Sequence, residues 1–260
     1  MTTASESRSD GCPAGGRAPE RVRCPAVSVV IPALDERKCI AAILGDLREL
    51  DLPHEVIVAD GGSTDGTPEL AALLGARVVA APRGRGVQLA AGVRQATAAV
   101  LCVLHADARL DAAARRELAS IARTPTGGAF AFRLRIDGRG WRYRLIEFGA
   151  NLRARVFRLP YGDQGLIVGR ADYDAAGGYH PMPVMEDVAL VDALRRVTNV
   201  RLLRSSIAVS ARRWERDGPL TRSLRNWRLL IAWRLGASTN ALAARYLPHS
   251  TIGSDERGQG

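Results

Sequence analysis

The chain has 260 residues, 47% of them hydrophobic and 25% charged, which is enough to bury a full core in one large domain or two small ones. Its net charge is +10 with a pI near 10.4, and Lys38 is the only lysine, so anionic partners are favoured: phosphates, acidic lipid surfaces or nucleic acid. The four cysteines form no CxxC pair and no run of about 18 apolar residues occurs, which excludes a disulfide framework, a thiolate metal site and a membrane-spanning helix.

Residues 1–25 are rich in Ser, Gly, Pro, Arg and Ala with no apolar centre. That composition predicts disorder rather than a signal peptide, and with reduced cysteines it predicts a cytoplasmic location. From Val27 onward strands and helices alternate. Val27–Ile31 is a β-branched run stopped by Pro32, and Glu36–Leu50 carries Ile40, Ile43, Leu44, Leu47 and Leu50 on one helical stripe. Strands follow at Val56–Ala59, Arg77–Ala80 and Val100–Leu104, with helices at Pro68–Leu74 and Val87–Ala98 between them. Single helices between strands imply right-handed crossovers and a parallel sheet covered on both faces. A helix at Ala112–Ala122 comes next, and the pattern then becomes less regular. It gives strands at Gly128–Ile136, Gly165–Val168, Val200–Leu203 and Ile207–Ser210, and helices at Trp141–Phe157, Val184–Arg195 and Leu220–Leu235.

Four strand exits carry polar residues suited to a ligand. In a parallel sheet that edge is where ligands sit, so a carboxylate there faces a cleft rather than the core. The second strand ends in Asp60 and runs into Gly61-Gly-Ser-Thr-Asp-Gly-Thr67. That turn either holds an anion at the next helix N-terminus or is simply a capped connection. Asp35 and Glu36 follow the first strand and serve equally well as a helix cap. Arg83 and Arg85 stand between glycines after the third strand, a combination suited to phosphate oxygens. The fourth strand ends in His105-Ala-Asp107.

Taken in order, these motifs resemble family 2 glycosyltransferases of the GT-A type, whose pattern is VSVVIPxxNE, VDDGSTDGT, a Gly-Lys-Gly-like turn and a strand ending in DxD. The resemblance covers roughly residues 27–215. More narrowly, the chain is similar to small stand-alone bacterial members associated with radical-SAM/selenodomain proteins, which also read HAD, GDQG, MEDV and ARRW. The resemblance implies an α/β GT-A fold: a mostly parallel nucleotide-binding sheet with helices on both faces, and a less regular C-terminal acceptor half. It further implies that Asp60 holds the nucleobase, typically uracil, while Pro32, Ala33, Asp35 and Glu36 contact the nucleoside. Gly62, Ser63, Arg85, His105 and Ala106 complete the donor site, and Asp107 coordinates a Mg²⁺ or Mn²⁺ ion bridging the diphosphate. The resemblance also makes Asp187 the base and Glu186 a supporting or acceptor-binding group, in the first turn of a helix whose positive end keeps a carboxylate ionised. Asp163 and Gln164, with Arg212, Arg213 and Trp214, lie on the acceptor or diphosphate side. Two departures stand out: Gly61 replaces the second Asp of VDDGS, and His105 replaces the first Asp of DxD. His105 either touches ribose or phosphate or is a hydrogen-bonded filler.

The organisation expected is a disordered segment over 1–25, a catalytic domain over 26–215, a basic Trp-bearing helical extension over 216–247 and a disordered tail over 248–260. Leu220–Leu235 combines arginines with Trp227 and Trp233, and either packs on the domain or lies at the inner membrane face. The function expected is an inverting, metal-dependent transfer of a sugar from a nucleotide donor, UDP-linked, to a hydroxyl of a small or lipid-like acceptor. The alternative is a catalytically weak nucleotide-sugar-binding protein on the same scaffold. Nucleic acid is not expected as a partner, because the basic residues lack interleaved aromatics on a strand platform.

Overall fold

The computed structural model describes residues 24–124, 127–211 and 219–246. Its first half alternates β1 (Val27–Ala33), α1 (Arg37–Arg48), β2 (His54–Asp60), α2 (Thr67–Leu73), β3 (Arg77–Ala80), α3 (Arg85–Gln95) and β4 (Val100–Val103). The second half contains β5 (Ala108–Leu110), α4 (Ala112–Arg123), β6 (Ala129–Asp137), α5 (Trp141–Val156), a 3₁₀ turn at Gly162–Gln164, β7 (Leu166–Gly169), α6 (Arg170–Ala175), α7 (Glu186–Val197) and β8 (Val200–Ser210). Two further helices follow, α8 (Pro219–Arg234) and α9 (Thr239–Tyr246).

All eight strands join one sheet in the order β3-β2-β1-β4-β7-β6-β8-β5. β1 to β4 are parallel, with Ala33 opposite Asp60 and Val30 opposite Val103, so their exits share one edge. β7 then runs antiparallel to both β4 and β6. The two short strands expected at 200–203 and 207–210 are one strand, β8, whose pairing with β6 shifts register between Ala131 and Arg133. A bulge there interrupts the alternation without ending the strand. β5, α6 and α9 are too short to show a period in sequence.

The two largest hydrophobic clusters among the described residues lie on the two faces of the sheet. On one, the α1 stripe of Ile40, Ile43, Leu44 and Leu47 packs with Val29, Ile31, Leu118 and Phe132. Each such side chain contributes about 1.5–3 kcal/mol relative to exposure. On the other, Leu89 and Val93 of α3 meet Leu101, Val168, Val188 and Val191. Leu230 of α8 joins this second cluster, so that helix is seated on the domain along one side. Cys102 is fully buried in β4 and behaves as a small hydrophobe, its thiol pKa pushed up by burial.

Candidate functional site

The loops after β1 and β2 are zipped together. The Asp35 N–H donates to Ser63 Oγ at 2.9 Å and the Thr64 N–H donates back to Asp35 Oδ1 at 2.9 Å. Farther along, the Glu36 N–H donates to Thr67 Oγ1 at 3.0 Å and the Arg37 N–H to Asp65 Oδ2 at 3.0 Å. Asp35 adopts a left-handed φ of 54°, which a short polar side chain bonded locally tolerates. Asp60 is buried and accepts from the Gly62 and Ser63 N–H groups at 2.9 and 3.0 Å and from the Ser63 hydroxyl. Asp60, Asp35 and Ser63 therefore shape the loop pair, and Asp60 keeps acceptor capacity because a carboxylate has about four lone-pair directions.

Gly61 has a structural reason. A Cβ there would lie 2.9 Å from Nε2 of Gln88, whose amide donates to the carbonyls of Ala33 at 2.7 Å and Ala59 at 3.0 Å. The buried Gln88 amide thus ties the ends of β1 and β2 and fills the space that a second Asp side chain would enter. Nothing in the sequence marks Gln88, since a lone Gln in a helix reads as surface. The Ala33 and Ala106 side chains pack in the first core, so any contact they make with a nucleotide is through the backbone. Pro32 is partly buried within β1 beside them.

One turn before Gln88, at the start of α3, Arg85 reaches the opposite side of the cleft. Its Nε lies 3.0 Å from Glu186 Oε1 and its Nη2 3.6 Å from Asp187 Oδ2. Asp187 Oδ2 also accepts the Gly162 N–H at 2.7 Å. The chain before α7 passes so close to α3 that a Cβ at Gly86 would lie 2.7 Å from the His180 carbonyl oxygen. Met185 then turns with a left-handed φ of 66° and sets Glu186 and Asp187 as the first two helical residues. Burial opposes the Arg85 charge, but Glu186 and then Asp187 outweigh it and hold the guanidinium protonated. Burial raises the Glu186 pKa, with Arg85 opposing and the Asp187 charge adding to the rise.

Asp163 occupies the loop between α5 and β7. Burial raises its pKa; Arg153 and Arg85 oppose this, while the charges of Asp187 and Asp107 add to it. These four groups therefore share one electrostatic neighbourhood. Asp163 Oδ1 is buried without a hydrogen-bond partner among the described residues, which is uncommon for a carboxylate oxygen. Its neighbour Gln164 does not face the cleft. It is fully buried, its Nε2 donating to the Phe132 carbonyl at 3.2 Å and its Oε1 accepting from Arg153 and from the Tyr161 N–H, both at 3.3 Å. This corrects the expectation that Gln164 contacts acceptor or diphosphate: it holds the loop that presents Asp163. Arg153, lying 3.4 Å from the Tyr161 ring centroid, completes that support. Helical periodicity could not single out Arg153.

Asp163→Asn is expected to raise thermal stability at neutral pH while lowering activity. The folded carboxyl titrates above its ordinary value of 3.8, so its destabilising charge appears as pH rises through that raised value and vanishes below 3.8. The Tm difference between variant and wild type should shrink in acid, each 1 kcal/mol reading as about 2–4 °C at this chain length.

His105 Nδ1 lies 4.0 Å from Asp107 Oδ1, and both side chains are largely buried at the β4 exit. Among the described residues no three His, Cys, Asp or Glu side chains enclose a metal. Asp107 offers a hard oxygen donor at the β4 exit, the ligand type that a Mg²⁺ or Mn²⁺ ion takes. Arg212, Arg213 and Trp214 lie outside the described residues.

Residues 28–181 match the family model for glycosyl transferase family 2, more than half of the chain. The chain belongs to this family. An uncharacterised glycosyltransferase of Mycobacterium bovis is 40% identical over 88 residues, which span 34% of this chain and only 39% of that protein. A low-salt glycan biosynthesis hexosyltransferase of Haloferax volcanii is 44% identical over 66 residues, 24% of this chain and 16% of that protein. Among solved structures, a mannosyltransferase of Pyrobaculum calidifontis in complex with GDP-Man and Mn²⁺ superposes with a TM-score of 0.57 at 22% identity, covering 88% of this chain and 66% of that one. Glucosyl-3-phosphoglycerate synthase of Mycobacterium tuberculosis, with UDP and Mn²⁺, gives 0.55 at 21% identity, covering 88% and 82%. The fold is the GT-A type.

Proposed function

We propose that this family 2 chain transfers a sugar from a nucleotide-diphosphate donor, UDP-linked, to a hydroxyl of a small or lipid-like acceptor with inversion at the anomeric carbon. The observation that carries this reading is the α3 start. Gln88 ties it to the β1 and β2 ends beside Asp60, and Arg85 ties it to Glu186 and Asp187. One short helix segment thereby spans the proposed nucleoside side and the proposed acceptor side.

Asp187 is the group positioned to take the acceptor proton, its side chain being 18% exposed against 5% for Glu186. As the hydroxyl loses its proton to Asp187, its oxygen bonds the anomeric carbon from the face opposite the diphosphate. The bond to the phosphate oxygen breaks, and the nucleoside diphosphate leaves with the electron pair. A divalent cation at Asp107, when bound, neutralises charge on that leaving group. Arg85 pairs with Glu186 and Asp187 and holds them in place, and the buried Asp163 lies within electrostatic reach of Asp107 and Asp187. Within the family, the HAD, GDQG, MEDV and ARRW elements support a place among the small radical-SAM/selenodomain-associated transferases.

The test is titration with UDP in Mn²⁺, followed by a panel of nucleotide sugars offered with cell extract and mass analysis of new glycosides. Micromolar to millimolar UDP binding and one new glycoside are expected. Binding with donor hydrolysis alone would leave a nucleotide-sugar-binding protein, and no UDP binding would end the reading.

A further inference from the structure

Helix α5 exposes Trp141, Leu145, Phe148, Leu152 and Val156, spaced four, three, four and four residues apart and therefore on one face. Trp141 and Phe148 are 67% and 64% exposed, far more than a packed helix face allows. Helix α8 does the same with Leu224, Trp227 and Ile231, continued by Leu235 just past its end. The two helices touch, and a cavity of about 310 Å³ is lined by Arg234 at the end of α8 and by Arg158 just past α5. Arg195 and Arg196 of α7 line it with them. The only carboxylate in its wall is Asp192, which pairs with Arg195 at 3.2 Å and Arg234 at 2.9 Å.

Charge selects the occupant. The α5 stripe is bordered by exposed Arg142, Arg144 and Arg155, and the α8 stripe by exposed Arg228. The only acid on α5 is Glu147, which is buried, accepting the Ile136 N–H at 2.6 Å and pairing with Arg144, while α8 has none. A second copy of the chain placed two-fold on this face would bring arginine borders against each other. An anionic lipid surface meets both requirements, giving hydrocarbon for the rings and phosphates for the guanidiniums. No described helix is long and apolar enough to cross a membrane, so the contact is with one leaflet.

We propose that the α5–α8 face docks on an anionic phospholipid membrane, with lipid phosphates entering the arginine-lined cavity where the two helices end. This goes beyond the transferase reading and does not depend on it, because vesicle binding needs no donor and no turnover.

The experiment is flotation of the full chain with vesicles of phosphatidylglycerol and phosphatidylethanolamine, with pure phosphatidylcholine vesicles as the neutral arm. The chain should float with the anionic vesicles, weakly with the neutral ones, and its tryptophan emission should shift to the blue. Phe148→Glu and Trp227→Glu, on separate helices and both exposed, should keep the wild-type melting temperature and each lower partitioning by about tenfold or more. Arg196→Glu should lower anionic binding and leave the weak neutral binding unchanged. The proposal is overturned if wild type stays unbound, if neither apolar variant changes flotation, or if sedimentation shows a dimer that Phe148→Glu dissociates.

Discussion

Asp187→Asn is expected to lower turnover by about 10²–10⁴-fold while leaving UDP affinity within a few-fold of wild type. The substitution keeps an oxygen able to accept the Gly162 N–H bond, which measures 2.7 Å in the parent. It also leaves the 3.0 Å pair between Arg85 and Glu186, so the link between α3 and α7 survives. What disappears is the ability to take a proton from the acceptor. Steady-state rates and calorimetric UDP binding on the same preparation separate these roles. Loss of both together would show that Asp187 supports the fold rather than the chemistry. Glu186→Gln tests the complementary role: it weakens the hold on Arg85, so it should disturb melting temperature as well as rate.

Much of this arrangement can be read from residue order alone, because a strand that ends in a polar turn advertises its exit. Asp60 ends such a strand and Asp107 follows one, and the parallel β1 to β4 edge brings those strand ends to one side of the sheet. The acidic pair at 186–187 was also legible, as acids at a helix start. What stayed hidden were buried polar residues within helices and loops. Gln88, Arg153 and Gln164 have the composition of surface residues, and only the carbonyls they meet, distant in sequence for Gln88 and Gln164 and nearby for Arg153, reveal them as ties. Gly61 illustrates the same limit, since its reason lies 27 positions away in the space filled by Gln88. The Leu220–Leu235 helix packs on the domain along one side only. Leu230 packs into the second core while Trp227 and Ile231 remain exposed, and periodicity cannot rank two apolar stripes on one helix.

Removing the carboxylate of Asp107 should produce the second large effect. In Mn²⁺, Asp107→Ala is expected to weaken UDP binding by on the order of 10–100-fold or more, toward the affinity that wild type shows in chelator. The reasoning rests on the donor set. A hard divalent cation shared between a carboxylate and diphosphate oxygens is held by both, so losing the protein ligand should cost metal and nucleotide together. Titrations with and without Mn²⁺ give the decisive comparison. Wild type should gain affinity from the metal and Asp107→Ala should not. His105→Ala, removing a ring 4.0 Å from Asp107, should shift affinity less and keep the metal response. If Asp107→Ala still responds fully to Mn²⁺, the ion is held elsewhere. Asp163, whose Oδ1 is buried without a hydrogen-bond partner among the described residues, is then the carboxylate to substitute next. A variant that loses nucleotide binding equally in metal and in chelator would instead place Asp107 in the support of the β4 exit.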